Sequence, residues 1–177
     1  MVQKRWFIGV TLPDELSDAI SGVQQQLKQN DVTLLEPIVP HITLLHPNPL
    51  MELSPLYFAP IAKQATDTLL PCDIQLTATS TFRSDVLYIS VESPQLHKIY
   101  NALVEALPHA VQSSYFVGKE FVPHITIAQA KSGCTLNQNS VQIAEQQLRG
   151  LLPASFIASE LTRFESNASR SYSVKKL

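Results

Sequence analysis

The chain has 177 residues, of which 45% are hydrophobic and 16% are charged, and its formal net charge is −2. This composition is typical of a soluble globular protein, and the small net charge excludes a global basic field for long nucleic acids. Only Cys72 and Cys134 could pair, and no apolar run approaches the roughly 18 residues of a membrane span. The sequence therefore predicts a cytoplasmic protein with reduced cysteines.

The first half of the chain predicts strands that alternate with helices. Aromatic and β-branched residues indicate the strands, and apolar residues at helical spacing after a proline indicate the helices. In chain order the predicted elements are a strand at 5–12, a helix from Pro13 to Asn30, a strand at 39–43, a helix from Ser54–Pro55 or Pro60 to Pro71, and a strand at 73–82.

The second half repeats this order. Ser93 and Pro94 form a cap and first-turn pair that predicts a helix start, whereas 113–118 is interpreted as a polar connection. The predicted elements are a strand at 86–91, a helix after Ser93–Pro94, a strand at 122–126, a helix through Val141–Leu151, a strand at 156–164 and a strand at 172–175.

One pentapeptide, VPHIT, occurs at 39–43 and again at 122–126, which indicates an internal repeat. Residues two apart on a strand point to the same face, so the histidine and the threonine of each copy share a face. Two such strands side by side would surround one small volume with two imidazoles and two hydroxyls. The candidate site residues are His41, Thr43, His124 and Thr126. The residues that alternate with them are expected to face the helices and be buried: Ile42, Leu44, Ile125 and Ile127.

The two halves agree beyond the pentapeptide. Leu-Leu-Pro occurs at 69–71 and at 151–153, and Phe82 and Phe164 follow these prolines at the same interval. The sequence therefore predicts an α+β fold, in which 1–177 form a single bilobal domain with halves of roughly 1–85 and 86–177. Two small, mostly antiparallel sheets are expected to face each other across a central cleft, with helices outside.

The paired histidines suggest acid–base chemistry on a phosphoester. One imidazole can remove a proton from water or a hydroxyl while the other protonates the leaving oxygen. The threonine hydroxyls can donate hydrogen bonds to the phosphoryl oxygens. This scheme needs no metal or cofactor, and the histidines and cysteines lack the spacing of zinc ligands.

A single His-Ile-Thr copy would more often be structural, and the interpretation depends on the two copies together. The other histidines are expected to be surface or structural residues. His46 lies an odd number of residues from His41, so simple alternation predicts that it faces the opposite side of the strand. His97 falls on a predicted helix and His109 just beyond it.

These residues resemble the two-histidine (2H) phosphoesterase superfamily, especially its branch of bacterial 2′-5′ RNA ligases and cyclic phosphodiesterases. The resemblance lies in the motifs His41-Ile42-Thr43-Leu44 and His124-Ile125-Thr126-Ile127, and in the opening RWFIGVTLPDEL. It implies a bilobal fold with both motifs in the cleft and metal-independent action on 2′,3′-cyclic phosphates or 2′-5′ linkages. Many members carry an arginine where this chain has Ala128 and Gln129, and an aromatic residue where it has His46.

The resemblance thus leads us to expect a phosphodiesterase in which His41 and His124 are catalytic and Thr43 and Thr126 bind substrate. Its partner would be a nucleotide 2′,3′-cyclic phosphate or an RNA terminus, and hydrolysis is favoured over RNA ligation. A monomer without a protein partner is expected. The alternative is a non-catalytic module that binds nucleotides or RNA ends with the same cleft.

Overall fold

The computed structural model describes residues 6–46, 50, 53–115, 120–166 and 172–177. The strands are β1 (Trp6–Thr11), β2 (His41–Leu45), β3 (Cys72–Phe82), β4 (Val86–Glu92), β5 (His124–Gln129), β6 (Ala154–Ala158), β7 (Thr162–Ser166) and β8 (Tyr172–Lys176). The helices in the described residues are α1 (Asp14–Asn30), α2 (Pro55–Thr66), α3 (Pro94–Glu105), α4 (His109–Tyr115) and α5 (Gln138–Leu148), and a 3₁₀ turn covers Asp67–Leu69.

The strands form one sheet rather than two. Their order is β6-β3-β4-β5-β2-β1-β7-β8, and neighbouring strands run antiparallel. Two four-stranded halves meet where Ile42 of β2 pairs with Ile125 of β5. The α+β class is confirmed, but the expectation of two separate sheets is not, because pairing between the two repeat strands joins the halves.

The halves of the sheet do not coincide with the halves of the sequence. Strand β3 of the first sequence half pairs with β4 and β6, whereas β7 and β8 of the second half extend the sheet beyond β1. Each half of the sheet therefore draws strands from both copies of the repeat.

The helices cover the face of the sheet that carries the predicted core residues. Helix α1 packs against β5, and α3 packs against β2. Ile42 and Ile125 are fully buried, and Leu44 and Ile127 are 3% exposed. The predicted strand register is confirmed, because these residues alternate with the partly exposed His and Thr of each copy.

Several predicted helix boundaries are confirmed. Pro55 opens α2, and the Ser93 hydroxyl caps α3 by accepting a hydrogen bond from the Leu96 amide at 3.3 Å. The described residues contain no helix that is both long and apolar enough to cross a bilayer.

Two predictions of local structure are wrong. Of the predicted polar connection at 113–118, residues 113–115 belong to α4 and 116–118 lie outside the described residues. Only Val111 of this short helix is buried, which leaves little periodicity to detect. The predicted strand at 156–164 is two separate strands. Strand β6 pairs with β3 at one edge of the sheet, whereas β7 pairs with β1 in the other half of the sheet. A change of partner of this kind is invisible to local propensity.

Candidate active site

The four candidate residues lie on one face of the two adjoining strands. Because Ile42 pairs with Ile125 in antiparallel register, His41 lies toward Thr126 and Thr43 lies toward His124. All four side chains are partly exposed on the side of the sheet away from the core isoleucines. The structure therefore brings together the residues that the repeat singled out.

Each repeat strand carries a β-bulge directly after its threonine. On β2, Thr43 pairs with Gly9 and Leu45 with Ile8, so Leu44 is the extra residue. On β5, the matching extra residue is Ile127. The bulges explain why two consecutive residues are buried after each threonine, and such bulges re-aim the side chains that follow them.

Each histidine is oriented by a backbone carbonyl of its own motif. The Nδ1 atom of His41 lies 2.7 Å from the Val39 carbonyl oxygen, and Nδ1 of His124 lies 2.8 Å from that of Val122. Because a carbonyl oxygen only accepts, Nδ1–H must donate, which leaves Nε2 of each ring to meet a ligand.

The Val-Pro dipeptide explains why these carbonyls are available. Both strands begin at the histidine, so the valine and the proline of each copy precede the strand instead of belonging to it. Proline has no amide hydrogen for a sheet, and it holds the preceding residue in an extended conformation. The repeat therefore encodes a fixed imidazole as well as a strand.

Stacked phenylalanine rings support the imidazole of His41. Phe7 and Phe164 stack with their ring centroids 4.6 Å apart, and each centroid lies 4.9 Å from that of His41. Phe164 is fully buried and Phe7 is 4% exposed. One side of His41 therefore faces an apolar wall.

A different aromatic pair supports His124. Phe82 and Tyr88 stack at 4.0 Å, and their centroids lie 4.9 Å and 5.4 Å from that of His124. The imidazole meets both rings edge to face, at 81° and 68°. Phe82 is only partly buried. The surroundings of His124 are therefore more open and more polar than those of His41.

The apolar rings beside His41 change its acid–base behaviour. Burial lowers its pKa to about 4, and the charges of His124 and His46 act in the same direction, while the bond to Val39 opposes them. His41 is therefore neutral at pH 7 in the free protein, with an available lone pair on Nε2.

Two residues outside the motifs hold the strand backbones. The buried Gln24 of α1 donates from Nε2 to the Thr126 carbonyl oxygen at 3.0 Å, at the bulge of β5. On β1, a Cβ atom at Gly9 would overlap the carbonyl oxygen of Ile42. Both features fix the backbone between the paired histidines and threonines.

The aromatic rings beside the two histidines are not apparent from the repeat. Phe82 and Phe164 occupy equivalent positions in the two halves, but the sequence pattern does not connect them or their partners Phe7 and Tyr88 with the site. The matching intervals after the Leu-Leu-Pro segments were the available signal.

Within the described residues, no group of three or more His, Cys, Asp or Glu side chains could hold a metal ion.

The sequence model of the 2′-5′ RNA ligase superfamily matches residues 12–170 of this chain. The chain belongs to this superfamily. The match covers both motifs and most of the sheet, which confirms the resemblance to 2H phosphoesterases. No curated protein sequence is significantly similar to the chain.

Solved structures share the fold of this 2′-5′ RNA ligase superfamily member. TT0787 of Thermus thermophilus has a TM-score of 0.67 and 19% identity, over 98% of this chain and 94% of that one. The complex of E. coli LigT with 3′-AMP has a TM-score of 0.61 and 20% identity, over 98% of this chain and 95% of that one. At these identities the similarity concerns the fold alone.

Proposed function

We propose that this protein is a metal-independent phosphodiesterase acting on 2′,3′-cyclic phosphate or 2′-5′ phosphodiester groups of nucleotides or RNA ends. His41 and His124 serve as the acid–base pair, and Thr43 and Thr126 bind the phosphate. The observation that carries the proposal is the placement of all four side chains on one face of two adjoining strands. Both histidines also present Nε2 in the same way.

The reaction on a 2′,3′-cyclic phosphate then needs one neutral and one protonated imidazole. A water oxygen forms a bond to phosphorus as its proton moves to Nε2 of the neutral ring. The bond from phosphorus to O2′ or O3′ breaks, and Nε2–H of the protonated ring gives that oxygen its proton. The threonine hydroxyls donate to the non-bridging oxygens, on which negative charge accumulates.

The apolar surroundings of His41 affect the charge of the proposed acid–base pair. In the free protein the low pKa of His41 keeps this ring able to accept a proton and unable to donate one at neutral pH. A bound phosphate anion beside Nε2 would favour the protonated imidazole, because opposite charges attract. The charge of each imidazole in the substrate complex therefore depends on both its surroundings and the bound phosphate.

Known ligands of a relative support the substrate class. E. coli LigT has been solved with 3′-AMP and with NADP+, and both molecules are nucleotides. The site described above offers imidazole and hydroxyl groups that suit the phosphate of such a molecule.

The proposal is tested by assaying hydrolysis of 2′,3′-cyclic mononucleotides by the parent protein, His41→Ala and His124→Ala. Each substitution should lower the rate by about 10²–10⁴-fold, because each removes one proton-transfer group. His109→Ala is the matched control, since this histidine is exposed on α4.

Circular dichroism should show that all three variants stay folded. A parent protein that binds the nucleotide but never converts it would support the non-catalytic module instead. Retention of full turnover by His41→Ala or His124→Ala would refute the proposed mechanism.

A further inference from the structure

The threonines of the two motifs lie opposite different residues on the strands that flank them. Thr43 pairs with Gly9 of β1, and Thr126 pairs with Tyr88 of β4. Both pairs lie at the bulge that follows the threonine, so Gly9 and Tyr88 occupy equivalent places in the two halves of the sheet. The two sides of the candidate site therefore differ by one whole side chain.

The space above Gly9 is taken by a phenylalanine. A Cβ atom at Gly9 would lie 3.3 Å from Cε2 of Phe164, whose ring also packs beside the imidazole of His41. A larger side chain at position 9 would therefore meet this ring. Strand β1 consequently contributes no polar side chain opposite Thr43.

The side chain of Tyr88 is held on the face of the sheet that carries the site. Directly opposed residues of two antiparallel strands point to the same side of a sheet, so Tyr88 shares the face of Thr126. The Tyr88 ring stacks on Phe82 at 4.0 Å, and its centroid lies 5.4 Å from that of His124. Tyr88 is 9% exposed, so its ring is held by its neighbours and has little freedom to move.

The hydroxyl is the polar end of this packed ring. It makes no hydrogen bond with the described residues, among which Nε of Arg163 is the one buried side-chain polar atom without a partner. The Tyr88 hydroxyl is therefore accessible to solvent, on the side of the sheet where the site lies. Tyrosines with buried rings usually place the hydroxyl on a hydrogen-bond partner, so this unpaired donor suits a ligand that accepts.

The phosphate of the proposed substrate is such a ligand. Its non-bridging oxygens carry negative charge, and hydrogen bonds to a charged oxygen are shorter and stronger than those to a neutral one. Tyr88 offers a donor opposite Thr126, whereas glycine stands at the equivalent place opposite Thr43. A phosphate between the two threonines would thus meet an additional donor on the Thr126 side.

We propose that Tyr88 is a substrate-binding residue whose hydroxyl donates a hydrogen bond to the same phosphoryl oxygen as Thr126. This inference rests on the proposed function of the site. One non-bridging oxygen then meets the hydroxyls of Thr126 and Tyr88, and the other meets that of Thr43. The substrate is thereby bound in one orientation on a site whose two motifs are duplicates.

The first test measures the binding of inorganic phosphate by NMR, from the shifts of the His124 imidazole signals. Tyr88→Phe removes the hydroxyl and keeps the ring that packs on Phe82, so this variant should stay folded. Its Kd for phosphate should be about tenfold higher than that of the parent, which is the effect of losing one hydrogen bond to a charged group. Tyr57→Phe is the matched control, because this tyrosine is 67% exposed on α2, and its Kd should equal that of the parent.

An unchanged Kd in Tyr88→Phe would overturn the inference, because a phenylalanine can replace a tyrosine that only supports His124 through its ring. A parent protein that binds no phosphate would overturn it as well. Failure of the proposed function is seen separately, as an absence of turnover of 2′,3′-cyclic nucleotides or as full turnover by His41→Ala or His124→Ala.

A double-mutant cycle tests whether Tyr88 and Thr126 serve the same oxygen. The Kd for phosphate in Tyr88→Phe/Thr126→Val should rise by less than the product of the two single effects, because two donors to one oxygen are coupled. In Tyr88→Phe/Thr43→Val the rise should equal that product within about twofold, since these hydroxyls serve different oxygens. Additivity with Thr126→Val, or stronger coupling to Thr43→Val, would contradict the assignment of Tyr88 to the oxygen of Thr126.

Discussion

The histidines of the two repeat copies are held in the same way but pack against different aromatic rings. In both copies Nδ1 donates to the carbonyl of the valine two residues earlier, so the orientation is the same. His41 lies against two deeply buried phenylalanines, whereas His124 meets Tyr88 and the partly buried Phe82 edge-on. The motif therefore fixes how the ring is held, while the neighbouring strands set its environment.

This difference bears on the proposed mechanism. Two imidazoles in identical surroundings would favour the same protonation state, but an acid–base pair needs one of each. Strands β1 and β7 supply the apolar wall of His41, and β3 and β4 supply the seat of His124. Those flanking strands, rather than the repeat itself, therefore make the surroundings of the two histidines different.

The largest expected effect concerns the two histidines as a unit. The double variant His41→Ala/His124→Ala should lose less activity than the product of the two single losses, each about 10²–10⁴-fold, because the proposed mechanism uses both residues in one step. The measurement is kcat/KM on a 2′,3′-cyclic nucleotide. A double loss equal to that product would mean that the two halves act independently.

The second prediction compares the cores beneath the two motifs. Ile42→Ala and Ile125→Ala should each lower the free energy of unfolding by about 2–5 kcal/mol, because both side chains are fully buried and a cavity would remain. Urea denaturation measures the loss. The matched controls are Val39→Ala and Val122→Ala from the same pentapeptides, which are 40% and 42% exposed and should cost less than about 0.5 kcal/mol. A large cost in one half only would show that the two strands are packed unequally.

A third prediction concerns the apolar surroundings that distinguish His41 from His124. The pKa of His41 is about 4 in the folded protein and 6.5 when unperturbed, so the unfolded chain binds more protons between these values. Stability should therefore fall as the pH is lowered from about 6.5 to 4, and this contribution should be fully present above about 6.5. Urea denaturation across this range should show a weaker pH dependence in His41→Gln than in the parent. The same dependence in both proteins would mean that His41 lacks an apolar seat.

The smallest expected effect is that of a chelator. In the proposed mechanism, two imidazoles and two hydroxyls supply the acid, the base and the oxyanion donors, so activity should be unchanged after exhaustive treatment with EDTA. Loss of activity that one divalent ion restores would show that the two halves share a metal, and the acid–base scheme would be wrong.

The sequence was most informative where the determining interactions are local. Alternation along each repeat strand correctly placed Ile42 and Ile125 in the core, and Ser93 with Pro94 marked the start of α3. These features depend on residues within a few positions of one another, and their patterns are visible along the chain.

The sequence was least informative where partners come from distant segments. The single sheet depends on the pairing of Ile42 with Ile125, and the division of 156–164 depends on separate partners, β3 and β1. Propensity shows that a segment is extended, but it does not show which strand lies beside it.

For the site, the sequence by itself determined the two motifs and the shared face of His41, Thr43, His124 and Thr126. The duplicated pentapeptide and the period of a strand are enough for that conclusion. The family of the chain also follows from the sequence, because its family model matches residues 12–170.

Only the tertiary structure decided which rings support each histidine and where each repeat strand bulges. The aromatic seats join strands that are far apart in the chain, and the bulges arise from pairing with β1 and β4. Both depend on contacts between strands, which a local pattern of residues does not specify. The protonation state of His41 follows from those contacts, because burial against Phe7 and Phe164 lowers its pKa.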